Sequence, residues 1–359
     1  MSLRRTAQIV AAIGLIALGA WIVRGKMQEP LSDPAEVTQA GSKIRPRSAA
    51  DIIAQREGPP KRVRVTMNDV MKNTLAGKAQ RLSQPEVEAF LKSQGRSAAN
   101  LLVAGRMLND LKYAREAAKA EPNNPLPQLE LALRGETPEE RSAAIAAFRA
   151  AAPDNSLGDY LAADQAFRSG DTSAASEALL KSLESPRFIT YDQAIVDSNE
   201  QAFLGAGYEP QAASFAAMDS VYISHLKAIH TVTENLVSLQ AESIRAADFR
   251  AAEQTLAIGL TLGQRMQEQR PHFVEQMMGV SIEGRLLKQL DPLTPVGPGG
   301  QTAGGRIATI AARRLELEEL ARRFEPAFAT ADDATQSQLV SKMKDEGHLA
   351  AMRWLVEKK

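Results

Sequence analysis

The chain has no cysteine in 359 residues, which excludes a disulfide framework, a thiolate-bound zinc or iron–sulfur site and a thiol nucleophile. It has no net charge either. Its 43 Lys and Arg offset 43 Asp and Glu, so the overall attraction on which a nucleic-acid-binding protein relies is missing, and no nucleic-acid partner is expected. Aromatic residues make up only 5%. β-Branched residues are sparse and alanine is abundant, a balance that disfavours a sheet core and suits closely packed helices. The expected fold class is all-α, and 44% hydrophobic residues suffice for one large core or two modest ones.

Short motifs with a defined mechanism are absent too. There is no H-E-x-x-H, G-x-S-x-G, G-x-G-x-x-G or G-x-x-x-x-G-K-[ST], so no catalytic, cofactor-binding or metal-ligating residue is assigned and no cofactor is expected. The stretch from Gly297 to Gly305 is glycine-rich and precedes a helical pattern. It lacks the lysine and the preceding apolar strand of a phosphate loop, and reads as a flexible connection between helical hairpins. The four histidines are His225, His230, His272 and His348. Five residues of helix turn through about 500°, so His225 and His230 point about 140° apart and cannot share a metal. His230 and Glu234 share a face, as ordinary helix-surface chemistry. Met266, Met277 and Met278 read as filling an irregular core.

What is present begins at the amino terminus. Residues 7–23 are apolar except for Gln8, between Arg4 and Arg5 on one side and Arg24 and Lys26 on the other. Such a run is just long enough to span a bilayer core of about 30 Å as a helix. Ala17, Gly19 and Ala20 could supply a signal-peptidase site, which would release a secreted protein after cleavage near Ala20. Trp21, Ile22 and Val23 continue the apolar run past that point, so a retained signal anchor is expected, with the body on the exported side. Residues 28–65 carry Pro30, Pro34, Pro46, Pro59 and Pro60 and read as a flexible, mildly basic tether.

From about Asn68 onward apolar residues recur at three- and four-residue intervals, as in Val87, Phe90 and Leu91 or Leu101, Leu102, Met107 and Leu108, which is the spacing of amphipathic helices. The pattern predicts long helices over 211–240, 273–290 and 306–324. In the last of these Ile310, Leu317, Leu320 and Phe324 face inward, and Glu318 with Arg322 and Glu319 with Arg323 pair on the outside. A final pair is expected over 333–358, turning near Gly347.

Pro122, Pro153 and Pro186 fall 31 and 33 residues apart, two of them in the near-copies Glu121-Pro122-Asn123-Asn124 and Ala152-Pro153-Asp154-Asn155. Gly170-Asp171 precedes Ala175, Ala163 and Ala166 come before it, and Asn109-Asp110 precedes Ala114 and Ala118. These residues resemble tetratricopeptide repeats, in which antiparallel helices joined by a Gly-Asp-type turn, here Gly170-Asp171 and Asn109-Asp110, meet through small side chains and a proline closes the second helix. Ala247-Asp248-Phe249 before Ala252 is a weaker copy. Asp159 stands where the repeat places a large aromatic, and the spacing drifts, so the resemblance implies an irregular, repeat-like solenoid. The expected organisation is a signal anchor over 1–27, a tether over 28–65, a helical-repeat body over 66–290, a Gly/Pro-rich loop over 291–305 and C-terminal helices over 306–359 that pack on the body. The expected function is that of a non-catalytic, membrane-tethered scaffold for a protein or peptide partner, self-association included. The alternative is a cell-envelope hydrolase whose carboxylates converge from separate helices; two close, desolvated carboxylates in a cleft would favour it.

Overall fold

The computed structural model describes residues 64–358, apart from 76, 77, 79, 222, 223, 269–271 and 298. The expected anchor over 7–23 lies outside the described residues, as does nearly all of the tether. No helix among the described residues is long and apolar enough to cross a membrane.

Among the described residues there are sixteen α-helices, no strand and three isolated β-bridges. The first eight are α1 Met67–Leu75, α2 Gln84–Gln94, α3 Ala98–Leu108, α4 Lys112–Ala120, α5 Pro125–Arg134, α6 Pro138–Ala151, α7 Leu157–Ser169 and α8 Thr172–Glu184. The others are α9 Asp192–Gly205, α10 Pro210–Asp219, α11 His225–Arg245, α12 Phe249–Glu268, α13 Phe273–Leu287, α14 Ala303–Ala329, α15 Asp333–Glu346 and α16 His348–Glu357. Sequence neighbours pack as hairpins: α3 with α4, α5 with α6, α7 with α8, α9 with α10, α11 with α12 and α15 with α16.

Local chemistry sets the hairpin turns. Asn109 ends α3 in the left-handed conformation (φ 52°, ψ 46°) and Gly170 ends α7 in the same region (φ 78°, ψ 8°), where glycine and asparagine are the residues that fit with little strain. Asp171 then caps α8 by accepting from the Ala174 N–H at 2.9 Å. Pro122, Pro153 and Pro186 all lie between helices, as a residue without an N–H requires. Pro326 is the exception, sitting inside α14 near its end.

Three expectations change. The helix expected over 211–240 is two helices, α10 and α11, with Ser220 ending the first and Ser224 preceding the second; amphipathic spacing runs through both, but serines at the junction favour end positions over helix interior. The helix expected over 306–324 runs from Ala303 to Ala329 with Thr302 as its N-cap. Its inward residues Ile310, Leu317, Leu320 and Phe324 are buried, while its outer pairs are Arg314 with Glu318 and Arg322 with Glu319. The Gly/Pro-rich loop before it is tied down. The Val296 N–H donates to the Gln301 carbonyl, and those of Ala303 and Gly304 donate to the Thr294 and Pro292 carbonyls, each at 2.8 Å.

Two apolar clusters fill the interior. A smaller one joins α1–α4 to α9 and α10 through residues such as Val70, Phe90, Tyr113 and Phe203; a larger one runs from Leu102 to Val356. Alanines in α10 are fully buried, and small residues elsewhere let backbones approach. Gly263 of α12 and Gly279 of α13 face each other so closely that a Cβ on Gly279 would sit 2.5 Å from the Gly263 carbonyl oxygen. Gly279→Ala should therefore destabilise the protein, because a backbone clash of the kind that costs about 1–3 kcal/mol outweighs the gain of up to about 1 kcal/mol in helix propensity. A urea midpoint equal to or above that of the parent chain would refute this close packing.

Candidate functional site

The region that merits chemical attention is assembled from the amino-terminal ends of four helices. Its framework starts at Asn155, whose side chain accepts from the Ile189 N–H at 2.9 Å and donates to the Ile189 carbonyl at 2.8 Å. Ser156 holds the Arg187 carbonyl through its hydroxyl at 2.7 Å. These bonds fix the connection from α8 to α9. Tyr191 then turns the chain with a left-handed backbone (φ 60°, ψ 17°), a conformation a non-glycine residue keeps only when its surroundings hold it, and Asp192 follows as the first residue of α9.

Asp192 meets His225, the first residue of α11, and Glu275, in the first turn of α13. One potential ligand atom from each of the three lies within 4.8 Å of the others. His225 Nε2 is 2.8 Å from Glu275 Oε1, with both side chains buried. The other Glu275 oxygen accepts from the His272 backbone N–H at 2.9 Å, closing the amino-terminal end of α13 in the manner of a capping box. The His272 Nε2 stands 3.8 Å from Asp192 Oδ2, and its ring meets that of His348, the first residue of α16, edge to face at 4.5 Å between centroids. Asp192, His272, Glu275 and His348 border a cavity of about 260 Å³ whose walls also include Met218, Met266 and Met343. Asp192 Oδ2 is buried without a hydrogen-bond partner.

The two carboxylates are pushed in opposite directions. Desolvation raises the pKa of Asp192 and the charge of Glu275 adds to it, against the charges of His225 and His272 and the Thr190 hydroxyl. For Glu275 desolvation is again the largest influence and works upward. It is outweighed by the hydrogen bond and charge of His225, the charge of His272 and its backbone N–H, so the Glu275 carboxyl is held below its ordinary value. Burial pushes the His348 imidazole down to about 3, with the charge of His272 acting the same way and that of Glu275 opposing. The cations on the cavity wall are engaged elsewhere. Arg265 donates to the Ser182 carbonyl at 2.7 Å, and Lys344 pairs with Glu200 and Asp197.

Three of the four histidines thus converge, although none was assigned a role from the sequence. His230 stays on the outer face of α11, 3.6 Å from Glu234, which itself binds Arg285. Met266 and Met277 are buried core residues. Spacing rules compare residues within one helix, whereas Asp192, His225, Glu275 and His348 belong to four. The signal in the sequence was positional: Ser224-His225 and Gly347-His348 each place a histidine directly after a helix-starting residue.

A second opening, of about 240 Å³, lies among α5, α6, α7 and the start of α11, with Leu133, Ile145 and Leu161 below and Arg141, Arg168 and Lys227 around it. Arg168 is bound to Asp164 at 2.8 Å, and Arg141 donates to the Gly135 carbonyl at 2.7 Å. Comparison of the chain with known protein families, with curated proteins and with solved structures gives no significant match.

The depressed pKa of His348 links the site to stability. Its folded-state value lies below the ordinary 6.5, so its contribution to stability is complete above that pH and is lost as pH falls toward the folded-state value. The carboxyls of Asp192 and Glu275 also titrate nearby, so the comparison must be made with a variant. Stability from denaturant curves should fall below about pH 6.5, by at most about 1.4 kcal/mol per pH unit from this one group. His348→Gln should flatten that fall, and identical slopes in parent and variant would show that His348 is not held neutral.

Proposed function

We propose that this chain is a non-catalytic, membrane-tethered scaffold of the cell envelope, in which tetratricopeptide-like hairpins form an irregular solenoid that docks a protein partner. The anchor is residues 7–23, and the helical body lies on the exported side. The observation that carries this reading is the opening among α5, α6, α7 and α11, because it combines an aliphatic floor with a cationic rim. Among the described residues neither Arg141 nor Lys227 forms an ion pair within 4 Å; Arg141 donates to the Gly135 carbonyl and its charge acts on Glu140 beside it. A short partner segment with an acidic residue beside an apolar one would satisfy both features, the charge steering the encounter and the apolar contact holding it. The packing of consecutive hairpins gives the rigidity that such a surface needs.

The test is a pull-down from a detergent-solubilised membrane fraction with the full chain as bait, followed by Kd measurement on the captured partner. A stoichiometric partner, a second copy of the chain included, is expected. Reversing Arg141 and Lys227 to Glu should weaken it about tenfold or more. Failure to recover any stoichiometric partner would overturn the proposal.

A second reading, a cell-envelope hydrolase, is favoured by one observation: Asp192 and Glu275 are close, desolvated and shifted in opposite directions, the arrangement that separates an acid from a base. Turnover of ester, peptide or glycoside substrates by the full chain, abolished in Asp192→Asn, would establish it; turnover unaffected by that change would dismiss this site.

A further inference from the structure

We infer that Asp192, His225 and Glu275, with His272 as a fourth donor, form a binding site for one divalent transition-metal ion of the zinc class. This inference stands apart from the docking proposal, which concerns a different face of the protein. A buried His–Glu pair alone could be structural, and it accounts for His225 and Glu275. It does not account for Asp192, whose Oδ2 is buried and lacks a hydrogen-bond partner, nor for His272 turning its Nε2 to within 3.8 Å of that same oxygen. Two carboxylates drawn together in a buried site are stabilised by a cation. The cationic side chains on the wall are already committed, Arg265 to main-chain carbonyls and Lys344 to Glu200 and Asp197.

Donor type and spacing narrow the ion. Imidazole nitrogen together with carboxylate oxygen, and no sulfur, suits zinc, manganese, iron(II) or cobalt; magnesium and calcium take oxygen ligands almost exclusively. Bonds of about 2.1 Å in a tetrahedron put donor atoms about 3.4 Å apart. The His272–Asp192 separation of 3.8 Å is close to that; His225 and Glu275, at 2.8 Å, need to part slightly, and the atoms of Asp192, His225 and Glu275, spread over up to 4.8 Å, need to draw in around the ion. Outer contacts fix the donors, as they do in established metal sites. The second oxygen of Glu275 is bound by the His272 N–H, and the His272 ring rests on His348.

The experiment uses the full chain in detergent, stripped with a chelator, titrated calorimetrically with zinc ion alone and, separately, with cobalt(II) while visible absorption is recorded. About one equivalent of zinc should bind, and cobalt should give the ligand-field band of a low-coordinate site with nitrogen donors. Asp192→Asn and His272→Gln should each weaken zinc binding about tenfold or more. His230→Gln, on the outer face of α11, should leave it unchanged. Circular dichroism of the metal-free proteins checks that each variant is folded, and if one is not, the other with the cobalt spectrum decides. Absence of stoichiometric zinc binding by the parent chain overturns the inference, as does undiminished binding by the folded variants.

Discussion

Buried carboxylates pinned by a cation from a neighbouring helix set the order of packing along the helical chain. Glu130 of α5 is almost fully buried and takes Arg106 of α3 and Arg134 of its own helix, each at 2.6 Å. Asp159 of α7 takes Arg149 of α6 at 2.8 Å, and Glu283 of α13 takes Arg306 of α14 at 2.6 Å. The net gain from such a pair is small, because removing both charges from water offsets most of their attraction. Any shifted packing, however, would leave a charge buried and alone, which costs several kcal/mol. In an alanine-rich interior with few aromatic rings to interlock, this penalty for wrong alignment provides the specificity that large side chains give other folds. Asp159 shows the arrangement between successive hairpins, where it pairs α7 with Arg149 of α6.

Asp192 is the departure from that rule, and helix geometry explains how the fold tolerates it. Asp192, His225, Glu275 and His348 each lie in the first turn of a helix, where unpaired backbone N–H groups and the aligned peptide dipoles create positive potential. Such a field lowers the cost of gathering carboxylates and disfavours a charged imidazole. The pKa shifts themselves have more local causes: the hydrogen bond and charge of His225 and the charge and backbone N–H of His272 outweigh desolvation at Glu275, burial lowers His348, and burial raises Asp192. On the Asp192 side the cluster is positioned by Asn155 and Ser156, which hold the Ile189 and Arg187 backbone, and by the left-handed turn at Tyr191.

The helices were legible in the sequence because three- and four-residue spacing reports on one face of one element. Ile310, Leu317, Leu320 and Phe324 show this, since all four are buried. Turn chemistry was legible at Asn109 and Gly170 for a similarly local reason. The break between α10 and α11 was not, because the apolar rhythm continues across Ser220 and Ser224 and only end-forming residues hint at it. The convergence of His225, His272 and His348 was invisible for a deeper reason. Spacing along a chain restricts which residues share a helix face, but which helix ends meet depends on the packing of many pairs, and that information is spread across the whole interior.

The C-terminal helices show how the two levels join. α16 packs on α14 and α15 packs on α10, so Lys344 and His348 reach a cavity whose other walls come from the middle of the chain. The link between α15 and α10 is polar: Lys344 binds Glu200 of α9, and the Ser214 hydroxyl of α10 donates to the same carboxylate. Glu200 therefore joins three helices at the rim while His348 and His272 meet beneath it. The last hairpin supplies Met343, Lys344 and His348 to the cavity wall, which makes the chemistry of the site a property of the complete helical stack and not of any single hairpin within it.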